Sequence, residues 1–257
     1  MTRISKQVTS EVTGERLAGL ARYGSLHLLD EVDSTNDYAL SLAGKNSTAI
    51  VVASRQTKGR GRFRRPWFSD EESLAASLLV HTDVPDFPHP SFLTHLAGLA
   101  LSRAVEQTAG LPTQIRWPND VTLGDKKLAG ILCEGRRNAV AVGIGMNLNQ
   151  QSLPEDLPEA VSLSMATGRQ WDKFYLLEDF LREMFASIEQ SGKGGSAQVL
   201  ADLKQRSAIM HRRVEIQTFL RRHVGTVVDL DPEGRVVLRT DSGRLVVLSA
   251  GDARKVR

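Results

Sequence analysis

An eleven-residue run dense in positive charge, placed between two apolar runs of strand length, limits the fold of this chain more than any other feature. Six of the positions 55–65 are lysine or arginine, two are glycine and none is acidic. The flanking runs, residues 49–53 and 74–80, have the length and the aliphatic composition of buried strands. The pattern therefore predicts a long basic connection between two strands.

The chain has the size and composition of a globular protein with a sizeable core. It contains 257 residues, of which 41% are hydrophobic and 25% charged, and this length fits one large domain plus a small one. No apolar stretch approaches the roughly 20 residues that a membrane-spanning helix needs. The N-terminal residues lack the apolar core of a secretory signal, and Cys133 is the only cysteine. We therefore expect a cytoplasmic protein without disulfides or a membrane association.

Apolar periodicity and end signals predict the larger elements of the first 207 residues. Ser34 or Thr35 can cap a short helix that starts at Asn36. Two further helices show one apolar face each and end at glycines. The helices are predicted over residues 36–43, 91–109 and 172–191, and strands over 49–53, 74–80, 114–117, 127–134 and 139–144. Short turns between the last three strands favour a central mixed or antiparallel sheet with flanking helices, an α+β fold.

Beyond residue 207 the sequence changes to short segments rich in valine and leucine. Turn signals recur every eight to ten residues, which is typical of a small β-barrel. The predicted strands cover residues 214–219, 224–230, 236–240 and 245–248. We therefore predict two domains, residues 1–207 and residues 208–257.

The basic segment has the composition of an anion-binding loop. Gly59 and Gly61 let main-chain N–H groups approach an anion, and the guanidinium groups of Arg60 and Arg62 can bind paired oxygens of a carboxylate or phosphate. The same Gly-Arg-Gly-Arg pattern also fits an exposed solubilising loop or a patch that binds nucleic acid without specificity. The residues alone leave these alternatives open.

Two segments downstream carry further polar side chains. Asn119 and Asp120 follow a predicted strand, where a carboxylate could hold Mg²⁺ on a nucleotide or where the pair could simply form a turn. Lys127 begins the next strand, and strict alternation places it on the face of Ala129 and Ile131, with Leu128 opposite. A lysine facing inward would need an anionic partner, whereas a lysine at the strand edge would not.

The segment from Gly143 to Asn149 ends an apolar strand with two glycines and two asparagines. Its glycines allow close backbone approach, and Asn147 can read a polar edge; a strand end softened by glycine is the alternative. The sequence has no dinucleotide fingerprint, Walker-type phosphate loop, His-Glu-x-x-His pair or Gly-x-Ser-x-Gly elbow. Any use of ATP must therefore rely on another architecture.

Taken in order, these segments resemble the biotin–protein ligase family. The resemblance covers the chain from about residue 25 to its C-terminus and includes the segment 143–149 and the β-rich tail. The segments that carry it are Asp33-Ser34-Thr35-Asn36, the run from Gln56 to Trp67, Arg116-Trp117-Pro118-Asn119-Asp120 and Lys127-Leu128-Ala129-Gly130-Ile131-Leu132-Cys133-Glu134. Such a resemblance implies a catalytic domain like that of class II synthetases, with a mixed sheet, followed by an SH3-like C-terminal barrel.

The resemblance also implies an activity and its ligands. Such an enzyme forms biotinoyl-5′-AMP from biotin and ATP with Mg²⁺, and then transfers biotin to a lysine of a biotin carboxyl carrier domain of acetyl-CoA carboxylase or a related carboxylase. On the biotin side, Ser34, Thr35, Asn36 and Gln56 match residues that contact the vitamin.

The basic loop and the downstream segments match the remaining ligand contacts. Gly59, Arg60, Gly61 and Arg62 match the ligand-binding loop, whose arginines would hold the biotin carboxylate and then the adenylate phosphate. Arg64 stands where many members have glycine, so neither Arg64 nor Arg65 is given a role.

The nucleotide side is expected to include five further residues. Trp67, Asn119 and Asn147 would lie near the nucleotide, and Asp120 matches an acid associated with magnesium. Lys127 matches the essential lysine that reaches the biotin carboxylate and the α-phosphate. With Arg60 and Arg62 it would form the catalytic set.

Two rival functions and several partner predictions remain at this stage. A lipoate ligase or octanoyl transferase would have a related fold, but the usual Arg-Arg-x-x-Gly-Gly-Gly signature is absent. A non-enzymatic nucleic-acid-binding module could use the basic loop together with arginines of the C-terminal part. Since the chain lacks the winged-helix domain of repressor-type ligases at its start, no sequence-specific DNA binding is expected. The oligomeric state, including a homodimer, is left open.

Overall fold

The computed structural model describes residues 3–4, 14–45 and 47–255, which form two sheets and the helices packed on them. The larger sheet has eight strands in the order β1-β2-β3-β4-β8-β7-β6-β5. The first three of these strands run parallel and the other pairs are antiparallel, so the sheet is mixed. Its strands are β1 (Arg3–Ile4), β2 (Ser25–Val32), β3 (Ala49–Gln56), β4 (Ser73–His81), β5 (Gln114–Arg116), β6 (Asp120–Leu123), β7 (Lys126–Arg136) and β8 (Ala139–Asn147).

Six α-helices are present in the described part of the chain. Their bounds are α1 (Gly14–Ala21), α2 (Thr35–Ser41), α3 (Leu93–Ala109), α4 (Leu163–Thr167), α5 (Lys173–Gln190) and α6 (Ser196–Arg206). The three predicted helices correspond to α2, α3 and α5. Ser34 caps α2, and Gly110 ends α3 in the left-handed conformation, with φ 67°. Glycine takes this conformation without the steric cost of a Cβ atom.

The two faces of the large sheet carry different side chains, so that one face packs in the core and the other stays partly open. On β8, Val142, Ile144 and Met146 belong to the main core, which α3 and α5 cover. Gly143 and Gly145 alternate with them and point to the other face, because successive strand residues face opposite sides. That second face is covered by α2 at one end and remains open at the other.

Several helices and strands were not predicted from the sequence. Strand β2, helices α1 and α6 and strand β6 were not predicted, and the Trp117-Pro118-Asn119-Asp120 segment leads into β6 instead of ending a longer strand. A short strand such as β6, which has four residues and lies between β7 and β5, has too few positions for a periodic signal. The structure of such a strand depends on pairing with its neighbours.

The C-terminal residues form a five-stranded antiparallel sheet in the order β12-β11-β10-β9-β13. Its strands are β9 (Arg213–Gln217), β10 (Arg222–Leu230), β11 (Val236–Thr240), β12 (Leu245–Leu248) and β13 (Asp252–Lys255). Four of them match predicted strands, whereas β13 was missed. An all-β C-terminal unit was thus predicted correctly, and the proposed boundary near residue 207 falls between α6 and β9.

A turn of this sheet packs against the start of α3. The indole Nε1 of Trp117 donates a hydrogen bond of 3.0 Å to the carbonyl of Gly234. Gly234 has a φ of 76°, and a Cβ atom there would lie 2.4 Å from the His95 ring. His95 is therefore buried where the two sheets meet, and burial lowers its pKa to about 4, although nearby Asp231 acts in the opposite direction.

We predict that His95 makes stability depend on pH. Its pKa falls from about 6.5 in the unfolded chain to about 4 in the folded one, so only the unfolded state gains a proton between these values. The contribution of His95 to the free energy of unfolding is therefore constant above about pH 6.5. As the pH falls to 4, this contribution decreases by up to about 3 kcal/mol. Urea unfolding of wild type, His95→Gln and the exposed control His89→Gln across this range should show a flatter profile for His95→Gln alone. Parallel profiles for all three would contradict the prediction.

Among the described residues, no helix combines the length and the apolar character needed to cross a membrane.

Candidate active site

A cavity of about 560 Å³ lies on the open face of the large sheet. Its floor contains three glycines, Gly130 on β7 and Gly143 and Gly145 on β8. A Cβ atom at Gly143 would lie 2.4 Å from Asn36 Oδ1, and one at Gly145 would lie 2.4 Å from the Trp67 ring. Any side chain at these positions would displace the residues above it. The glycines therefore let the Asn36 amide and the Trp67 ring lie directly on the sheet.

The start of α2 is held by a hydrogen-bond network at one end of the cavity. Ser34 Oγ accepts from the backbone N–H of Asp37 and caps the helix. Gln56 Oε1 accepts from both the backbone N–H and the hydroxyl of Thr35, at 2.9 and 3.1 Å. Ser77 Oγ lies 2.7 Å from Asn36 Oδ1. Buried polar groups that are all paired in this way hold a rigid surface.

Arg60 is held between two carboxylates. Its guanidinium forms two hydrogen bonds of 2.6 Å with Asp37 and also reaches Glu134 at 3.0 Å. The hydrogen bond from Arg60 lowers the pKa of Asp37, although partial burial acts in the opposite direction. Asn36 Nδ2 donates to the same Glu134 carboxylate at 2.8 Å. Arg60 is thus tied to α2 and β7, and an incoming anion would compete with these carboxylates for it.

Arg62 joins the basic loop to the C-terminal sheet. Its Nη1 donates a hydrogen bond of 2.9 Å to the carbonyl of Gly251 and lies 3.6 Å from Asp252. Arg65 forms a closer ion pair with Asp252, at 2.5 Å. Burial lowers the pKa of Arg62, which the charge of Asp252 partly offsets. Because a guanidinium stays charged in proteins, a second anion near Arg62 would offset the energetic cost of burying its charge.

Lys127 points into the cavity because of a β-bulge, and not because of the strict alternation on which the sequence prediction was based. The pairing of β6 with β7 shifts between Val121 and Thr122, which leaves Leu128 as an extra residue. This bulge puts Lys127 on the face of Gly130, whose Cβ position lies 3.3 Å from Lys127 Nζ. The predicted shared face with Ala129 and Ile131 was therefore wrong, because a bulge breaks the period-two alternation.

The amine of Lys127 lies between an acid and an aromatic ring. Its Nζ is 2.7 Å from Asp120 Oδ1 and 5.2 Å from the ring centroid of Trp67. Trp67 lies over Gly145, and its buried Nε1 has no hydrogen-bond partner in the structure. The lysine side chain is about one third exposed, so it remains accessible from the cavity.

The two asparagines on this side of the cavity are fixed by the backbone. Asn119 Nδ2 donates to the carbonyl of Ile131 at 2.9 Å, and Asn147 Nδ2 donates to that of Val161 at 3.4 Å. The Trp117-Pro118 peptide before Asn119 is cis. Each amide oxygen remains available to a ligand donor.

The structure brings nearly all the predicted site residues together. Twelve of the thirteen line the cavity: Ser34, Thr35, Asn36, Gln56, Arg60, Gly61, Arg62, Trp67, Asn119, Asp120, Lys127 and Asn147. Gly59 does not line it; its carbonyl accepts from the backbone N–H of Trp67 at 3.0 Å and shapes the loop.

Sequence reasoning missed part of the lining. Arg65, Arg116 and Arg254 add positive charge, so that six cations and four acidic side chains line the cavity. The segment 156–160 closes one side and is held by the bond from Lys127 N–H to the Glu159 carbonyl, at 2.6 Å. No local pattern marks this loop or Asp252, since both reach the site only through the fold.

One carboxylate of the site could take part in metal binding. Within the described residues, no three His, Cys, Asp or Glu side chains are grouped as metal ligands. Asp120 alone projects a carboxylate beside Lys127. A single carboxylate fits Mg²⁺, which takes most of its ligands from phosphates and water, and does not fit a metal held by the protein alone.

Comparison with known protein families identifies the class. The model of the Biotin/lipoate A/B protein ligase family matches residues 28–150, and that of the Biotin protein ligase C terminal domain matches residues 212–255. The fold and the cavity therefore define an acyl–protein ligase. The C-terminal match and the relatives below narrow this class: the chain belongs to the biotin protein ligase family.

Curated relatives and a solved structure align over most of the chain. The biotin–[acetyl-CoA-carboxylase] ligase of Mycobacterium tuberculosis is 34% identical over 242 residues, which cover 90% of this chain and 89% of the relative. The bifunctional ligase/repressor BirA of Bacillus subtilis is 33% identical and aligns with 87% of this chain and 73% of its own length. The biotin protein ligase from Aquifex aeolicus in complex with biotin and ATP superposes with a TM-score of 0.81 at 29% identity, covering 90% of this chain and 99% of that one.

Proposed function

We propose that this chain catalyses ATP-dependent biotinylation of a lysine in a biotin carboxyl carrier domain, with biotinoyl-5′-AMP as the intermediate. The observation that carries the proposal is the convergence of Arg60, Arg62 and Lys127, from a loop and a distant strand, on one cavity. A site for two anionic reactants needs such a cluster of cations. Family membership supplies the identity of the reactants.

The two ends of the cavity suit the two reactants. We assign biotin to the end formed by Ser34, Thr35, Asn36 and Gln56, where paired amide and hydroxyl groups can read a polar ring. The nucleotide is assigned to the end formed by Trp67, Asn119 and Asn147. Gly143 and Gly145 mark these ends on one strand and are two residues apart, about 7 Å. The carboxylate of biotin and the α-phosphate would meet between them.

In the first step an oxygen of the biotin carboxylate attacks the α-phosphorus of ATP. A phosphorus–oxygen bond forms to biotin, and the bond to pyrophosphate breaks. Arg60, Arg62 and Lys127 would reduce the repulsion between the two anions and hold them in line, so positioning and electrostatics supply most of the catalysis. Lys127 would exchange its contact with Asp120 for the bridging oxygens.

Mg²⁺ on the nucleotide phosphates would neutralise the charge of the departing pyrophosphate. Asp120, which stands beside Lys127, is the residue that would hold it. The chain would also exclude water from the mixed anhydride, because the loop with Gly61 and Arg62 lines the cavity and is tied to the C-terminal sheet.

In the second step the unprotonated amine of the acceptor lysine attacks the biotinoyl carbonyl carbon. An amide bond forms, the carbon–oxygen bond to phosphate breaks, and AMP leaves. Arg62 and Lys127 would stabilise the charge on the departing phosphate. The names of the relatives support an acetyl-CoA carboxylase carrier as acceptor. The oligomeric state and the lack of sequence-specific DNA binding stay predictions.

The proposed function is tested by ATP–pyrophosphate exchange measured in parallel with biotin, lipoate and octanoate. We expect exchange that depends on biotin and is at least about 100-fold slower with the other two acids, because the amide and hydroxyl groups around Asn36 can hydrogen-bond the polar ring of biotin but not an alkyl chain. Exchange with lipoate or octanoate equal to that with biotin would reassign the chain to the related acyl ligases.

A pair of glycine variants should separate the two ends of the cavity. Gly143→Ala places a methyl group against Asn36 and is expected to raise the Kd for biotin about tenfold. Gly145→Ala places one against Trp67 and should raise the KM for ATP by a similar factor. Gly135→Ala in β7, where a Cβ atom meets nothing closer than 3.8 Å, is the control. Calorimetry for biotin and exchange kinetics for ATP measure the effects; equal losses on both ligands in each variant would contradict the assignment of the ends.

A further inference from the structure

The turn between β9 and β10 exposes two large apolar side chains side by side. Phe219 is 91% and Leu220 82% exposed. The turn itself is well braced, because the backbone N–H of Thr218 donates to the Arg221 carbonyl at 2.9 Å and the Thr218 hydroxyl also bonds the backbone of Arg221. We call residues 218–221 the apolar tip. A braced turn that keeps adjacent apolar side chains in water is typical of a binding surface.

The apolar tip stands beside the rim of the cavity. Strand β9 pairs with β13 so that Gln217 lies opposite Asp252. Asp252 and Arg254 line the cavity, and Gly251 just before them accepts the hydrogen bond of Arg62. Phe219 and Leu220 follow Gln217 by two and three residues, which is about 10 Å of chain. The tip therefore lies next to the strand pair whose residues Asp252 and Arg254 line this side of the cavity.

Positive charge borders the tip. Arg221 and Arg222 follow it directly and are exposed, and Arg254 is exposed on the adjacent strand β13. Arg222 is paired at 3.3 Å with Glu215. The complementary surface is therefore an apolar patch flanked by carboxylates. Apolar and arginine side chains together are also the composition that dominates the energetics of protein interfaces.

From this arrangement we infer that the apolar tip is a docking contact for the acceptor protein of the second step, a carrier domain that presents an apolar and acidic surface near its target lysine. The inference rests on the proposed function, because only the transfer step requires a protein at the rim. A second copy of this chain seated on the tip would cover the rim beside Asp252 and would hinder an acceptor lysine that approaches there. The acceptor is therefore the partner that the position of the tip favours.

The test uses the full-length double variant Phe219→Ser/Leu220→Ser. Both side chains are almost fully exposed, so their loss leaves the core intact. Biotin-dependent pyrophosphate exchange should be unchanged, whereas the KM for a purified biotin carrier domain of an acetyl-CoA carboxylase should rise about tenfold or more at constant kcat. The control is Leu245→Ser/Val247→Ser on β12, at the far edge of the same sheet, whose side chains are 56% and 50% exposed.

The outcomes separate the inference from the proposed function. If wild type shows no biotin-dependent exchange, the proposed function fails before the tip is tested. If wild type is active and the tip variant keeps its KM for the carrier domain, or if the β12 control has the same effect, the docking contact is wrong. A change of oligomeric state in the tip variant at unchanged KM, measured by analytical ultracentrifugation, would instead assign the tip to a contact between copies of this chain.

Discussion

Lys127→Ala is expected to reduce biotin-dependent ATP–pyrophosphate exchange by at least about 100-fold, which is the usual loss when one charge-stabilising group is removed from a reaction centre. The amine lies on the face of Gly130 inside the cavity, 2.7 Å from Asp120. Without it, the two anionic reactants would lose the cation that is proposed to reach both of them. The loss should appear mainly in kcat, because the interaction strengthens as charge builds on the bridging oxygens.

The adjacent residue supplies a matched control. Lys126 is exposed on the same strand and does not line the cavity, so Lys126→Ala should exchange pyrophosphate at the wild-type rate. Thermal unfolding of both variants should stay near that of wild type, since the pair of Lys127 and Asp120 is partly solvated and contributes little to stability. Near-normal exchange by Lys127→Ala would remove this lysine from the mechanism.

Arg62→Gly is expected to make the enzyme release biotinoyl-5′-AMP before transfer. The variant loses the bond from Arg62 Nη1 to the Gly251 carbonyl and the contact with Asp252, which together tie the loop to the C-terminal sheet. The variant would also lose a cation that is proposed to lie beside the adenylate phosphate. The free mixed anhydride reacts with any amine, so biotinylation of a bystander such as serum albumin should increase about tenfold or more, as quantified by mass spectrometry.

Arg64→Gly serves as the control for this effect. Arg64 is exposed, and its φ of 59° is one that glycine adopts without strain. The control removes the same charge from the same loop without touching the C-terminal sheet, so it should keep acceptor specificity. If Arg62→Gly labels only the carrier domain, or if Arg64→Gly labels bystanders equally, the role given to Arg62 is wrong.

The site shows which kinds of inference a sequence supports. Ser34 was one of two candidate caps, and the structure selects it because its hydroxyl accepts from the Asp37 N–H. Gly143 and Gly145 were expected to permit close approach, and they do so under Asn36 and Trp67. Each of these features depends on the conformational preference of a few neighbouring residues, so a short stretch of sequence is enough to predict it.

The strand face of Lys127 and the hydrogen-bond partner of Arg62 could not be predicted from the sequence. The face of Lys127 was predicted from alternation and was wrong, because the bulge at Leu128 arises from how β6 pairs with β7. The partner of Arg62 is the carbonyl of Gly251, which is 189 residues away and directly precedes a strand that was not predicted. Neither a register shift nor a partner across the molecule leaves a local pattern.

By itself, the sequence determined the main strands and helices, the all-β C-terminal part, the glycines of the cavity floor and the basic loop, because these follow from local propensity and period. The tertiary structure alone decided which carboxylates hold Arg60, on which face Lys127 lies and how Asp252 reaches the site. These depend on contacts between distant segments, whose geometry is set when the whole core packs.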